Sequence, residues 1–526
     1  MRKNVLVLMT AAGLAAGTVT ACSNAGVAEV TTAAVTAAAE KKEYTNAEDG
    51  GHAILEDGTT AEYNNITVSK TGDSEGDEAD FYGENAAVLA QNGATLKITN
   101  ADIHTDGTHA NGVFSYGEGT TVDISDSTIN TSSNCSGGLM TTGGGTMKAS
   151  NLTVTTQGRS SAAIRSDRGG GTVTVNGGTY ETSGMGSPAI YSTADITVKD
   201  AKLKANTSQG VVVEGKNSVE LENVDLTSNH TQKNSDKSDQ YQAVMLYQSM
   251  SGDADEGVAS FTMSGGSITN KNGGMFYVNN TVAEISLTDV ALTYANDDFL
   301  RVEKAGWGNE GSNGGQVTFQ AVNQKMEGLT TVDAISSLNL YLSDGSAYHG
   351  AINTDGEAGG VYVEIDDDST WTLSADSYIS SLTCDVDAID LNGHKLYING
   401  KEYTEGTASA GTAVEAYKGT SAASDSSNGK PDGKPGEKPN GASKDKKNES
   451  SQKSDRQAPS FRSNGSEKGS AQKADGQTLP SKPDGDGSGS GPKFDGQTPP
   501  SKPNGAGKGE KGPDGANPVA ETAAAN

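Results

Sequence analysis

Cysteine is almost absent from this chain, with 3 in 526 residues, and a disulfide scaffold is thereby excluded. Positive charge is short as well: 39 Lys plus Arg stand against 68 Asp plus Glu, a formal net charge of −29. A nucleic-acid binder needs a basic surface, so that class fails on sign. Aromatic residues make up 5%. The 6 His, at positions 52, 104, 109, 230, 349 and 394, are scattered and show no zinc-ligand spacing. Beyond the N-terminus no run of about 18 apolar residues occurs, which excludes an ordinary transmembrane helix there. Proline is confined to one end: of 13, only Pro188 precedes residue 430.

What is present begins with a targeting pattern. Arg2 and Lys3 form a short basic region, and Val5 to Met9 with Ala11 to Gly17 form an apolar one. Val19-Thr20-Ala21-Cys22 follows and is similar to a bacterial lipobox, which implies a signal peptide over 1–21 and lipidation at Cys22. Two or more acyl chains would anchor the protein stably to a membrane. The expectation is an exported, lipid-anchored, surface-exposed protein, with residues 22–44 as a tether.

The body reads as one repeat array. Leu96, Val122, Met147, Val173, Ile196, Val219, Phe261 and Ile285 each lead a short alternating segment, at spacings of 26, 25, 26, 23, 23, 42 and 24. A second apolar residue follows each leader seven positions on: Ile103, Ile129, Val154, Tyr180, Leu203, Leu226, Ile268 and Leu292. A third patch closes each unit, as in Val113-Phe114, Leu139-Met140, Ile164-Arg165 and Ile190-Tyr191. Three short strands per unit, separated by Gly, Asn, Asp and Ser, predict one turn of a parallel β stack, since alternation sends successive side chains inward and outward. One such turn cannot bury its own apolar face, so the array must be continuous. The expected fold is all-β, a single right-handed parallel β-helix over 45–408.

In this repeat form, and in segments such as Ala163-Ile164-Arg165-Ser166-Asp167-Arg168 and Ser187-Pro188-Ala189-Ile190-Tyr191, the chain resembles the pectate-lyase-like β-helix superfamily, and among it the adhesin-like secreted β-helix proteins of bacteria. The resemblance covers roughly the 360 residues of the array and implies a scaffold without a fixed catalytic signature.

Cys135 and Cys384 are separated by most of the stack, about nine turns or about 40 Å at one strand spacing per turn. A bridge needs Cα atoms within about 7 Å, so two unpaired, mostly buried thiols are expected. From about Gly419 the composition changes. Residues 419–526 hold 16 basic and 14 acidic residues with 12 of the prolines, and Asp475-Gly-Gln-Thr-Leu-Pro-Ser-Lys-Pro recurs 20 residues later. Such a segment cannot bury enough apolar surface to offset its ordering entropy and is expected to be disordered.

Three constellations are candidates for chemistry. With Val113, Leu139, Ile164, Ile190 and Val212 inward, the outward row is Phe114, Met140, Arg165, Tyr191 and Val213, with Met245 next. Outward positions on an exposed sheet face should be polar, so this apolar row is expected to be a glycan-binding stripe unless the 70–85 loop, the 227–257 insertion or another subunit covers it. Tyr241, Tyr247, Tyr277, Phe299 and Trp307 would extend it. Asp73, Asp77 and Asp80 crowd one loop and are calcium candidates, as are the Asp297-Asp298 and Asp366-Asp367-Asp368 loops. For catalysis, Asn353-Thr354-Asp355-Gly356 is similar to one motif of the β-helix polygalacturonases, with Asp366 and Asp367 as the following acids, but no Gly-His-Gly or Arg-x-Lys follows. Arg165, Asp167 and Arg168 offer the residue types of a lyase. The leading expectation is a non-catalytic, adhesin-like module for an extracellular polysaccharide or host glycan. A polysaccharide lyase or hydrolase is the alternative, and a purely structural spacer the third.

Overall fold

The computed structural model describes residues 40–416 apart from 357 and 358. Cys22, the expected signal peptide at 1–21 and the expected disordered tail at 419–526 lie outside the described residues. Successive turns of chain pair in parallel, building an 18-stranded sheet on one side and a 14-stranded sheet on the other. Only two short pairings near the C-terminal end, Thr383–Cys384 with Ser409–Ala410 and Tyr397–Ile398 with Lys401–Glu402, are antiparallel. The chain is thus all-β with long parallel sheets, a solenoid-like stack. Pairing starts at Lys42–Asn46, which lies against Ile66–Lys70, so the stack reaches back into the last residues of the expected tether.

The repeat pattern fixes the register. The eight leaders from Leu96 to Ile285 sit side by side in one ladder. The residues seven positions on, Ile103 to Leu292, sit in a second. The leaders are all buried, because alternation points each of them at the shared interior. Leader and follower lie on one long strand in several turns, as in Thr95–Thr105 and Gly145–Thr156, where separate strands were expected. The strand bends between them at a residue with left-handed backbone: Asn100, Asp126, Asn151, Asp200, Asn223. Asn and Asp tolerate that conformation. Their side chains bridge neighbouring turns, with Asn100 Nδ2 donating to Asn65 Oδ1 at 3.0 Å and Asn223 Nδ2 to Asp200 Oδ1 at 2.6 Å.

In the middle of the stack the interior holds Phe261, Phe276, Phe299 and Phe319, whose ring centroids lie 5.5–6.0 Å apart along the chain of contacts. Both body cysteines are free thiols; Cys384 is buried and Cys135 half-buried. Among the described residues no helix is long and apolar enough to cross a membrane.

Candidate functional site

The outward row exists, but it is covered. Phe114, Met140, Arg165, Tyr191, Met245 and Tyr277 are laterally adjacent in one ladder. Between Tyr191 and Met245 the row is continued by Val212, not Val213; three consecutive valines at 211–213 hide the phase from the sequence. Phe114 and Met140 are fully buried, and Tyr191 and Met245 keep 7% and 4% of their surface, so the row is not an exposed glycan stripe. The reason is two insertions that pack onto it.

The first cover is the helix Asp77–Tyr82 with its flanks. It ends at Gly83 with φ 75°, where a Cβ would lie 2.9 Å from the Phe114 ring, so the close approach requires glycine. Tyr82 stacks edge-on against Tyr116 at 5.3 Å, and Phe81 O accepts a 2.6 Å bond from Thr142 Oγ1. The second cover comes from the segments near 230–257 and 303–313. Trp307 packs with Tyr191, Val212, Met245, Tyr247 and Tyr277. Phe299 points into the core instead of joining a platform. Tyr241 packs edge-on against His230 at 5.0 Å.

Where the two covers meet, charges are buried. Arg165 Nε and Nη2 donate to Asp167 Oδ2 at 3.2 and 2.6 Å, and Nη1 donates to Ser160 O at 3.1 Å. Burial pushes the Asp167 carboxyl up to about 6, against the pull of Arg165, and the nearby Asp253 and Glu214 push the same way. Glu214, 1% exposed, is likewise raised by burial, although Tyr191, Tyr247 and Ser249 all donate to it. Arg168 ties the covers together. It bonds Asp253 from the second and Asp77 from the first, and its guanidinium lies 3.8 Å from the Phe81 ring centroid. Arg165, Asp167 and Arg168 therefore converge, and each is held in an ion pair, Arg165 with Asp167 under the covers and Arg168 with Asp253 and the exposed Asp77.

No family model, no curated protein and no solved structure matches the chain. The functional reading rests on the geometry alone.

The calcium candidates separate. Asp73 Oδ1 accepts the Thr108 N–H at 2.6 Å, Asp77 pairs with Arg168 at 3.4 Å, and Asp80 Oδ1 lies 2.7 Å from His109 Nδ1. Asp366 accepts the N–H of Asp368 in its own loop at 3.2 Å and that of Asp344 in the preceding turn at 2.8 Å. Asn353 is buried and holds the Val332 N–H at 2.7 Å, so the polygalacturonase-like segment is part of a turn.

Two features escaped the sequence reading. One is a close cluster of Asp80, His109 and Cys135 at the edge of the first cover. Burial lowers the His109 pKa, but Asp80 and Cys135 beside it outweigh that and take it up to about 9. A signal was available for two of the three: 109 and 135 differ by 26, one repeat length. Asp80 sits in an insertion, so no periodicity reaches it.

The other is an open groove of about 1060 Å³ between the strand Ala291–Tyr294 and the segment Lys325–Leu329. It arises because a ladder stops. Ala291–Tyr294 pairs with Ser267–Asn270 on one side only. On the other side the next turn crosses directly to the opposite sheet at Lys325. Gln324 makes the crossing possible: its buried amide accepts from Val290 N and donates to Val290 O, both at 2.8 Å. The groove is lined by Tyr294, Asn296, Asp297, Lys325, Glu327 and His349 among others. Tyr294 is half-buried, with its hydroxyl anchored on Glu327 O, and the other five are exposed.

The second cover carries a pH test. His230 Nδ1 is bonded to the Gln242 N–H at 3.1 Å, and burial pulls its pKa down from 6.5 to about 4. The folded chain therefore resists a proton that the unfolded chain takes up near 6.5, and stability is lost as pH falls from 6.5 to 4. Asp167 acts in the opposite sense. Its folded pKa near 6 lies above its unfolded value of 3.8, so its penalty is relieved as pH falls through 6. The difference in melting temperature between wild type and His230→Gln isolates the first effect: it is expected to move in favour of the variant between pH 7 and pH 4.5.

Proposed function

We propose that this chain is an exported lipoprotein, anchored through Cys22, whose body is a right-handed parallel β-helix acting as a non-catalytic, adhesin-like binding module for an extended glycan. The binding site is the groove at Ala291–Tyr294, not the outward row. One observation carries the reading: the groove is open and long, and its walls offer both faces that a sugar chain uses. It crosses residues of five successive turns, from Gly266 to Ala375, which is about 19 Å at one strand spacing per turn. Asn296, Asp297, Lys325, Glu327 and His349 offer donors and acceptors to hydroxyls, while Tyr294 is an aromatic ring held in place by its own hydroxyl bond. The −29 net charge favours a neutral or cationic glycan over an acidic one. A stack held by main-chain ladders along its whole length is also a rigid way to hold such a site away from a membrane.

The test is native electrophoresis of the full chain through gels cast with different polysaccharides. Retardation in at least one gel with its matrix intact is expected. Tyr294→Ala should weaken that retardation by about 1 kcal/mol or more, at least about fivefold in Kd. Tyr191→Phe, beneath the second cover, should leave it unchanged. A cleared trail in any gel would favour the lyase or hydrolase alternative, and equal retardation of Tyr294→Ala would remove the groove as the site.

A further inference from the structure

Asp80, His109 and Cys135 come from three separate parts of the chain. His109 and Cys135 occupy equivalent positions in neighbouring turns. The His109 N–H donates to Asn134 O at 3.0 Å, and the Cys135 N–H to Arg159 O at 2.8 Å, the same inter-turn bond one step on. Both have left-handed backbone, with φ 57° and 55°. Elsewhere that conformation falls to Asn or Asp at every described non-glycine position except Ser160 and Met250. Asp80 descends onto this pair from the helix of the first cover.

The three side chains offer a carboxylate oxygen, an imidazole nitrogen and a sulfur, all within 4.8 Å of one another. That distance separates two chemistries. A proton relay of the Cys–His–Asp kind places sulfur and carboxylate on opposite nitrogens of the ring, with the ring's width between them. Here sulfur and carboxylate are themselves neighbours, so the three atoms surround a point. His109 Nδ1 and Asp80 Oδ1 face each other directly at 2.7 Å. The cluster lies just beneath the surface, with the side chains of His109 and Asp80 12% and 14% exposed.

We propose that Asp80, His109 and Cys135 bind one borderline-soft divalent metal ion of the zinc class. Zinc takes such ligands at about 2.0–2.3 Å in tetrahedral geometry, which separates them by about 3.3–3.6 Å. To reach that arrangement the Asp80 carboxylate must back off from its 2.7 Å contact with His109 Nδ1, and any ligand pair near the 4.8 Å limit must close. Calcium, which takes oxygen ligands alone, is excluded by the donor set. A thiolate and a carboxylate neutralise the dication, and binding releases the thiol proton together with the proton that the His109 imidazole holds. Arg165 lies near both Asp80 and Cys135, but its charge is already matched by Asp167. With three protein ligands the fourth position goes to water. The ion fastens the first cover to two turns of the stack, so its role is a clamp on the insertion that buries Phe114 and Met140.

The experiment is a titration of the full chain with Zn²⁺ and, separately, Co²⁺. One equivalent is expected to bind, with a sulfur-to-cobalt charge-transfer band in the near ultraviolet and a rise in melting temperature on adding Zn²⁺. Cys135→Ser should abolish the band and weaken Zn²⁺ at least tenfold. Asp80→Asn should weaken it while keeping the band, and Cys384→Ser should change neither. Metal-free melting of each variant reports whether it folds. Absence of a one-equivalent site in the folded wild type, or a band that survives Cys135→Ser and disappears with Cys384→Ser, would overturn the proposal. Neither outcome bears on retardation by glycans.

Discussion

Arg165→Met is expected to destabilise the chain by about 3–5 kcal/mol at pH 8, the typical cost of removing one partner of a buried ion pair. The side chains of Arg165 and Asp167 are 12% and 5% exposed, and the guanidinium supplies two of the bonds to Asp167 Oδ2. Without it the Asp167 carboxylate keeps the Arg168 N–H at 3.3 Å as a partner, while the nearby charges of Asp253 and Glu214 are both acidic. The carboxyl must then climb further above 6. Its penalty is complete above that folded value and is relieved as pH falls through it. Unfolding in urea at pH 8 and pH 5 should show the larger loss at pH 8. The double variant Arg165→Met/Asp167→Leu should recover most of the loss, because replacing both partners by apolar groups costs far less than orphaning one. A double variant as unstable as the single would mean that Arg165 acts through packing against Ser160 and the covers, not through its charge.

The sequence carried the fold because each turn repeats the same physical problem. Leaders and their followers seven residues on must face one interior, so their spacing gives the ladder register directly, from Leu96 to Ile285 and from Ile103 to Leu292. Where three apolar residues run together, as at Val211–Val213, alternation gives no phase, and the outward residue was assigned one position late. The covers were harder to read. An outward apolar row has the same pattern whether a glycan or the chain itself lies on it, and the insertions that decide the matter have no period. The groove was invisible for a further reason. It comes from the absence of a strand after Ala291–Tyr294, and the residue that permits this, Gln324, is a single polar side chain turned inward to take both backbone groups of Val290. The metal cluster was half legible: the 26-residue spacing aligns His109 with Cys135, but only the packing of the helix brings Asp80 to them.

Phe299→Ala is expected to cost about 3–5 kcal/mol, the range for truncating a large buried aromatic residue. Phe299 is 1% exposed, and its ring meets Phe276 at 5.8 Å, Phe319 at 5.5 Å and Tyr348 at 6.0 Å between centroids. Phe276 comes from the preceding turn, Phe319 from the opposite sheet of the next turn, and Tyr348 from two turns on. The cavity would therefore open inside a cluster of aromatic rings, which cannot collapse without shifting the ladders that hold them. In a stack, each turn depends on its neighbours, so the loss should appear as a separate early transition of the central turns instead of a uniform shift. Hydrogen exchange would locate it: amides of Gly274–Asn279 and Asp298–Val302 should lose protection, while those of Thr95–Thr105 keep theirs. Had Phe299 belonged to an exposed sugar platform, the same substitution would leave exchange untouched and abolish retardation in polysaccharide gels. A Phe299→Leu variant, which restores most of the volume, should recover the larger part of the stability, and its failure to do so would point to the ring contacts themselves as the dominant contribution.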